Sequence, residues 1–289
     1  MDQSSVLLKA KIKKIATVGA FILGALCVAF VIVFPFIWMV PSAWKGRTDI
    51  WSIPPKWFPS VWEWSNFSVL TEPDINGGSF FRSFGVTFFV GVVATALNLA
   101  INMLAAYGFA RHEFWGKKII WPLFLFTMFV PGITVQITSI QVVTKLHLIN
   151  TLLVLILPTA ANAYNIFFFR QFFLGIPDSL EEAAELDGAG RIQIFLRVFL
   201  PLSVTPMIIT GVGCFIGHWN SYIWPTLAIT ERQEELRQVM QFVYMLSTSD
   251  VREYGKVIAA TLITIACPLI VFSIFQKKIV AGITLSGLK

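Results

Sequence analysis

Residues 178–201 read DSLEEAAELDGAGRIQIFLRVFLP, and this stretch decides the fold. It is a charged interruption between two strongly apolar regions, with two glycines just past its acidic half. A glutamate follows both Asp178 and Ser179 three residues later, which is typical of a capped helix start. Glycine permits a backbone turn where a side chain would clash. The stretch therefore predicts two short helices, the first ending at or before Asp187.

The composition places the chain in a lipid bilayer. Hydrophobic residues make up 56% of the 289 residues and charged residues only 13%, which is far more apolar than a soluble domain. The net charge of +6 comes from lysines beside apolar segments rather than from a basic run, so it indicates membrane anchoring and argues against nucleic-acid binding. The three cysteines lie in apolar stretches without a C-x-x-C pair, and free thiols are expected.

Six apolar segments are long enough to cross a hydrocarbon core of about 30 Å as helices. Pro131-Gly132 lies near the middle of the third segment and predicts a weakened or bent helix. No signal-peptide cleavage site follows the first segment, so that segment is expected to be retained as a transmembrane span and not to be removed as a signal peptide. The sequence predicts an all-α membrane protein with one transmembrane domain at 16–275. The predicted spans are 16–40, 84–109, 119–142, 151–173, 201–223 and 257–275.

The distribution of lysine and arginine predicts the orientation of the spans. Basic residues crowd the span ends in the tail at 1–15, in the loops on the same side and in the C-terminal segment 276–289. Both termini and the stretch at 178–201 are therefore expected in the cytoplasm. The long charged loop at 224–255 is expected outside.

The sequence lacks the motifs of an ATPase or a hydrolase. It has no G-x-x-x-x-G-K-[ST] phosphate-binding loop, so if transport is driven by ATP, a separate subunit must hydrolyse the ATP. It has no H-E-x-x-H or G-x-S-x-G motif, and its three histidines are widely scattered, so no catalytic or metal-ligating residue is predicted. No ionisable residue lies in the middle of a predicted span, which counts against an ion-coupled carrier, although backbone carbonyls and amides can also bind sodium.

The motifs of this chain resemble one family of transport proteins. The central stretch is similar to the EAA signature in the membrane subunits of binding-protein-dependent ABC importers. Motifs elsewhere resemble carbohydrate-type permeases similar to the second membrane subunit of the maltose system. The residues that carry the resemblance are Glu182-Ala183-Ala184, Asp187-Gly188-Ala189, Phe195, Pro201, Pro206, Ala106–Arg111, Pro131, Arg170–Phe173, Ile176-Pro177, Trp219-Asn220 and the C-terminal segment from Gln276.

In that family the EAA signature forms a coupling helix that docks into a groove of a cytoplasmic ATPase. The resemblance implies a type I ABC importer permease fold, with the coupling region at 178–200 between spans four and five. Small residues would leave one surface of this region open to close approach by the ATPase. The implied coupling residues are Glu182, Ala183, Ala184, Asp187, Gly188, Ala189, Phe195 and Pro201.

The resemblance also implies partners and a location. They are a second, related permease forming a heterodimer, two ATPase subunits that bind ATP and magnesium, and an extracellular or periplasmic solute-binding protein. Because the loop at 224–255 is long and charged, it is expected either to contact the binding protein or to be a plain solvated loop. The membrane would be the bacterial cytoplasmic (inner) membrane. The chain itself is then expected to be a transport subunit without cofactor or enzymatic activity. The expected solute is a sugar or oligosaccharide, with a non-sugar solute such as glycerol phosphate, or an ion-coupled secondary transporter, as alternatives.

Amide side chains inside the predicted spans suggest a path for such a solute. Asn98 and Asn102 lie four residues apart and therefore on one helical face. Amides donate and accept hydrogen bonds to hydroxyls, and an indole suits a sugar ring. Hydrogen bonding between helices is the alternative interpretation of the same residues. The candidate pathway residues are Asn98, Asn102, Gln136, Asn162, Asn165 and Trp219.

Overall fold

The computed structural model describes residues 3–73, 77–230, 233–249 and 253–286. Every regular element within these ranges is helical. Three helices are long and apolar enough to cross a membrane alone, and three bent helix pairs bring the candidate spans to six if each pair counts as one. This architecture confirms the predicted all-α membrane protein.

The principal helices are numbered in chain order, and a bent pair receives two numbers. They are α1 Gln3–Ser42, α2 Phe80–Arg111, α3 Lys117–Phe129, α4 Gly132–Lys145, α5 Leu152–Thr159, α6 Ala163–Leu174, α7 Asp178–Leu186, α8 Arg191–Leu202, α9 Val204–Trp219, α10 Ile223–Ala228, α11 Val239–Ser249 and α12 Tyr254–Ser286.

The chain folds into two compact units, of which the smaller contains residues 1–68 and 251–262. Within it, the side chains of α1 are exposed from residue 13 to residue 37. The segment after α1 is tied together by Asp49, whose carboxylate accepts hydrogen bonds from Lys56 at 2.8 Å and from the backbone and hydroxyl of Ser60. These bonds, with that from Lys56 the strongest, hold the pKa of Asp49 at about 2.

The larger unit contains residues 69–250 and 263–289, and α2 is its central helix. The middle of α2 packs with α5 and α10 in one apolar cluster that includes Val90, Val154 and Trp224. The end of α2 packs with α6 and α8 in a second cluster that includes Tyr107 and Phe199. Both candidate sites described below are therefore built on the same helix.

Three of the candidate spans are broken rather than straight. The bend predicted at Pro131-Gly132 is present, with 106° between α3 and α4. The predicted span 151–173 is broken as well, with 44° between α5 and α6, and α8 meets α9 at 79°. The helix of the predicted span 201–223 ends at Trp219, and α10 follows as a separate short helix.

Two tryptophan–proline pairs stabilise helices whose backbone bonding is interrupted. Proline lacks an N–H, so Pro158 and Pro268 leave the carbonyls four residues earlier, at Val154 and Thr264, without their usual donor. The indole N–H of Trp224 donates to the Val154 carbonyl at 2.9 Å. The indole N–H of Trp219 donates to the Thr264 carbonyl at 3.1 Å. In both cases a side chain of another helix replaces a missing helical hydrogen bond.

The segment predicted as a polar external loop, 224–255, is largely helical in its described part. Val239, Phe242 and Leu246 recur at helical spacing and are buried in α11. The N–H of Val239 donates to the hydroxyl of Thr87 on α2 at 2.8 Å. The prediction of a polar loop is therefore wrong for residues 239–249, because their apolar side chains recur at helical spacing and pack inward; Glu231 and Arg232 lie outside the described residues.

The C-terminal segment predicted as a tail, 276–289, continues α12 as far as Ser286. No glycine or proline interrupts residues 269–281, and lysine is a good helix former, so Lys277-Lys278 does not end the helix. Residues 287–289 lie outside the described residues, as do the first two residues of the predicted N-terminal tail.

Candidate functional site

The first candidate site is the elbow, defined as residues 178–190. Its helix α7 begins at Asp178 after Pro177, with no side-chain cap. The predicted capping role of Asp178 and Ser179 is therefore wrong, because Asp178 pairs instead with the guanidinium of Arg111. The helix ends at Leu186 with Asp187 as its C-cap residue, as the sequence predicts.

A left-handed glycine closes the elbow helix. Gly188 has φ of +79°, a region that residues with a β-carbon rarely occupy. Its N–H donates to the carbonyl of Glu185 at 2.9 Å, and the N–H of Ala189 donates to the carbonyl of Ala184 at 3.0 Å. This pair of bonds is the Schellman arrangement, which satisfies the last free carbonyls of a helix and reverses the chain.

Arg111, at the end of α2, fixes the start of the elbow. Its Nη2 donates to the carbonyl of Phe173 at 2.7 Å and to the carbonyl of Ile176. Its Nη1 pairs with Asp178, and its Nε lies 3.6 Å from Oε2 of Glu181. The Arg111 side chain is 8% exposed and that of Glu181 17%, so water weakens their contact little, whereas Asp178 is 80% exposed and its ion pair is screened. One guanidinium thereby joins the ends of α2 and α6 to the first turn of α7.

The two faces of the elbow differ in what they contact. Ala184 and Ala189 pack against the buried cluster that contains Phe195, so these two predicted coupling residues face the interior of the chain. Glu182, Ala183, Asp187 and Gly188 are exposed. Leu186, which the sequence reasoning did not single out, is 90% exposed beside them. The exposed face is therefore not free of bulk, because it carries one apolar side chain between carboxylates.

Helix α8, which follows the elbow directly, carries the last two predicted coupling residues. Phe195 lies 5.3 Å from Tyr107, ring centre to ring centre, and is 5% exposed. The Tyr107 hydroxyl lies 3.4 Å from the carbonyl oxygen of Arg191. Pro201 lies in the last turn of α8, next to the 79° bend into α9. Phe195 therefore holds the elbow against α2, whereas Pro201 lies beyond it.

The second candidate site is centred on the break between α5 and α6, where asparagines of α2 bind the open backbone. Asn98 donates to the carbonyl of Thr159 at 2.8 Å. Asn102 donates to the carbonyl of Ala160 at 3.2 Å and accepts from the N–H of Asn162 at 2.9 Å. A buried backbone group without a partner costs about 1–3 kcal/mol, so these bonds stabilise the break. These bonds are hydrogen bonds between helices, which is the alternative interpretation given for these asparagines in the sequence analysis.

Two further asparagines complete the network. The side chain of Asn162 accepts from the N–H of Asn165 at 3.2 Å and so caps α6. The amide of Asn165 donates to Oδ1 of Asn98 at 2.8 Å. Asn98, Asn102 and Asn165 are all at least 92% buried. All four asparagines singled out in the sequence thus form one connected set.

A cavity of about 280 Å³, here called the amide cavity, opens beside this network. It brings together four of the six candidate pathway residues, Asn98, Gln136, Asn162 and Asn165. Asn102 and Trp219 are not part of its lining. Trp219 is 1% exposed, packs on Phe84 and Phe215, and donates its indole N–H to the carbonyl of Thr264 in α12. Lining residues that the sequence reasoning missed as site residues are Ser139, His218, Ser221, Trp224 and Gln238.

Two acceptors of this lining lack a donor. The Oε1 atoms of Gln136 and Gln238 are buried and make no hydrogen bond to any residue that the structure describes. Gln238 is 2% exposed, and its backbone N–H donates to the side chain of Gln241 at 2.9 Å, which fixes its position at the start of α11. The sequence alone does not place Gln238 near Gln136 of α4, because the two residues are brought together only by the tertiary packing of α11.

Known proteins similar to this chain are transport proteins. Permease protein AraQ of the arabinooligosaccharides transport system of Bacillus subtilis (strain 168) is 30% identical over 232 residues, 80% of each chain. Permease protein UgpE of the sn-glycerol-3-phosphate transport system of Yersinia enterocolitica is 30% identical over 267 residues, 91% of this chain and 92% of its own.

A solved structure shows the same fold. A chain of a bacterial ABC transporter involved in the import of the acidic polysaccharide alginate matches with a TM-score of 0.75 and 22% identity, over 96% of this chain and 98% of its own. The family described as binding-protein-dependent transport system inner membrane component matches residues 99–283, which include the elbow and most of the lining of the amide cavity. The chain belongs to this family of membrane permease subunits.

Proposed function

We propose that this chain is the permease subunit of an ATP-driven carbohydrate importer and that its elbow receives the movement of a separate ATPase. The observation that carries the proposal is the construction of the elbow. One face is fixed to α2 by Arg111 and Phe195, and the other face presents Leu186 between Glu182 and Asp187. A surface held rigidly on one side and exposed on the other is suited to transmitting a push.

The exposed face suits a groove with an apolar floor and basic edges. Burying the Leu186 side chain on docking would contribute about 1.5–3 kcal/mol. Ala183 and Gly188 would let the groove approach the backbone, while Glu182 and Asp187 would pair with basic residues at its edges. Ala184, Ala189 and Phe195 act from the inner side by holding the elbow in place, and Pro201 acts at the bend that joins the elbow unit to α9.

The proposed assembly contains two ATPase subunits that bind ATP and magnesium, a second related permease and a solute-binding protein. The family description supports the binding protein. The side chains of α1 are exposed from residue 13 to residue 37, and in this proposal lipid or a helix of the second permease covers them. Both termini lie on the ATPase side in this proposal. The chain itself contributes no catalytic residue and no cofactor.

The proposed solute is a sugar or oligosaccharide. The arabinooligosaccharide permeases among the relatives support this class, and a glycerol phosphate permease is similarly related. Uptake assays with both solute types separate these alternatives. Transport by this chain alone, driven by an ion gradient, would indicate a secondary transporter instead.

The decisive experiment purifies the tagged chain from its native membranes and measures ATPase copurification and solute uptake. We expect a stoichiometric ATPase to copurify. Gly188→Asp should leave membrane insertion intact, because no atom lies within 4 Å of the added β-carbon. It should uncouple ATP hydrolysis from uptake, because a residue with a β-carbon in this left-handed turn costs about 1–2 kcal/mol and the new charge faces the ATPase.

Gly190→Ala is the matched control. Gly190 also has open space around its β-position, but its φ of −74° suits any residue, so uptake should be retained. Normal coupled uptake by the Gly188→Asp variant would contradict the proposed role of the elbow. A preparation without any ATPase would contradict the proposed function as a whole.

A further inference from the structure

Two unpaired acceptors from different helices meet at the amide cavity. Gln136 comes from α4 and Gln238 from the start of α11, and both line the same space. Their side-chain carbonyl oxygens are buried, and neither receives a donor from the described residues. A buried acceptor is normally paired, so a donor must come from the contents of the cavity. A hydroxyl group is such a donor.

The remaining polar lining is also suited to hydroxyl groups. Ser139 and Ser221 add hydroxyls that donate and accept, and His218 adds a ring nitrogen of either kind. No Asp, Glu, Lys or Arg occurs among the described residues that line the cavity. Recognition of a phosphate or a carboxylate normally uses charged or clustered donors, which this lining does not supply. The uncharged lining therefore favours a neutral solute over an anionic one.

Size and aromatic content narrow the solute further. A volume of about 280 Å³ lies just below the usual range for ligand pockets, which begins at about 300 Å³, so the cavity has room for one ring rather than an oligosaccharide. Trp224 lines it while its indole N–H is held by the carbonyl of Val154 at 2.9 Å. This fixed indole supplies an apolar surface against which the C–H side of a ring can pack.

We propose that the amide cavity is a subsite of this subunit for one neutral, hydroxyl-bearing ring, with Gln136 and Gln238 accepting hydrogen bonds from its hydroxyls. The inference rests on the proposed function as a carbohydrate permease and deepens it in two respects. It places a direct solute contact in this chain, and it assigns neutral sugars rather than polyol phosphates as the solute class. Selectivity then comes partly from the permease, in addition to the binding protein.

The native Cys214 provides a test, because its free thiol lines the amide cavity. The full importer is prepared in nanodiscs with Cys27→Ser and Cys267→Ser, and Cys214 is modified with methyl methanethiosulfonate and followed by peptide mass spectrometry. The protecting probes are arabinotriose, maltose and glucose as neutral sugars, and sn-glycerol 3-phosphate as an anionic polyol. We expect at least one neutral sugar to slow the modification and glycerol phosphate to have no effect.

Variants locate the binding to the two glutamines. Gln136→Leu and Gln238→Leu remove one acceptor each and should each raise the half-protecting sugar concentration about tenfold, the effect of losing one hydrogen bond. Gln171→Leu is the matched control, because Gln171 is exposed and lies outside the cavity lining. In this control variant the sugar should slow the modification of Cys214 as much as it does in the parent protein.

Several results would overturn the subsite. They are a reaction that none of the three sugars slows, equal protection by glycerol phosphate, and protection that persists in the variant lacking both glutamines. Absence of protection in the parent protein, with ATPase copurification intact, would reject the subsite alone. Loss of the ATPase would reject the proposed function, so the two failures remain distinguishable.

Discussion

The elbow and the amide cavity are two regions of one helix, α2, that are stabilised by opposite chemistry. At the elbow Arg111 joins three chain segments through ion pairs and carbonyl contacts. At the cavity Asn98 and Asn102 join α2 to the break between α5 and α6 through uncharged amides. Thirteen residues separate Asn98 from Arg111, which corresponds to about 20 Å along the helix. The difference follows from depth, because charges are costly inside a bilayer and amides are less so.

The comparison also shows how the two sites are connected. Helix α6 begins at the amide network, where Asn162 caps it, and ends at the elbow, where Arg111 holds the carbonyl of Phe173. Helices α2 and α6 thus form a packed pair that is fixed at both ends. A displacement of the elbow that moves these helices as rigid rods would therefore also move the lining of the cavity. The predictions below test whether each end behaves as its chemistry requires.

The largest effect is expected for Asn102→Leu, which attacks the amide end. The change removes the partner of the Ala160 carbonyl, which is buried at the break between α5 and α6, and the partner of the more exposed Asn162 N–H. The buried carbonyl left unpaired costs about 1–3 kcal/mol and the more exposed N–H about 1 kcal/mol, so the unfolding free energy should fall by about 2–4 kcal/mol. Thermal unfolding in detergent measures it, with Asn220→Leu at an exposed position as the control. Unchanged stability would contradict the role assigned to this network.

The next effect is expected for Arg111→Lys, which attacks the charged end. Lysine keeps the charge but loses the planar fork that reaches Asp178 and the carbonyls of Phe173 and Ile176 together. Losing one charged hydrogen bond costs about 1.5–3 kcal/mol. We expect a smaller loss of stability than for Asn102→Leu but a clear fall in ATPase activity coupled to uptake. Full coupling in this variant would show that the elbow does not depend on the guanidinium.

A third effect separates structural from solute-binding roles at the cavity end. Trp219→Phe keeps an aromatic ring but removes the N–H that pairs with the carbonyl of Thr264. The unfolding free energy should fall by about 1–3 kcal/mol, while protection of Cys214 by sugar should persist, because Trp219 does not line the cavity. Trp51→Phe, at a residue that is 59% exposed, is the matched control. A loss of protection without a loss of stability would return Trp219 to the pathway.

The smallest effect is expected for Glu113→Gln, next to the charged end. The hydrogen bond from Lys117 at 2.8 Å lowers the pKa of Glu113, but the carboxylate is 82% exposed. A lowered pKa means that the contribution is fully present above about pH 4.3, the usual value, and is lost as the pH falls through the lower folded value. At neutral pH thermal unfolding should therefore not differ measurably from the parent protein. A large decrease in the unfolding temperature would mean that exposed charges also stabilise the elbow end of α2.

The sequence predicted those features that depend on local patterns. Apolar length predicted the spans, Pro131-Gly132 predicted the bend of span three, and the glycines predicted the turn after Asp187. The asparagines of α2 were recognised because their spacing places them on one face. Their actual partners, the open backbone at 159–162, depend on how α2 packs on α5 and α6. That contact is tertiary and leaves no local signal.

Other features were missed for stated physical reasons. The burial of Ala184 and Ala189 could not be read from their size, because a small residue suits either face of a helix. The helix α11 was overlooked because charged neighbours masked its apolar spacing, and Gln238 was missed with it. The role of Trp219 was misjudged because pairing with Pro268 links positions that are far apart in the sequence. Whether the coupling and pathway residues act as predicted stays a prediction.

The open backbone between α5 and α6 has a consequence for how the protein is made. Hydrocarbon offers no water to an unpaired carbonyl, so a broken segment is unstable in the membrane until its partners are present. Those partners, Asn98 and Asn102, belong to a helix that leaves the ribosome before residues 159–162 do. Synthesis in the natural direction therefore delivers the side chains ahead of the gap they fill. In a circularly permuted protein with α2 at the C-terminus, the backbone at 159–162 would enter the membrane before Asn98 and Asn102 had been synthesised.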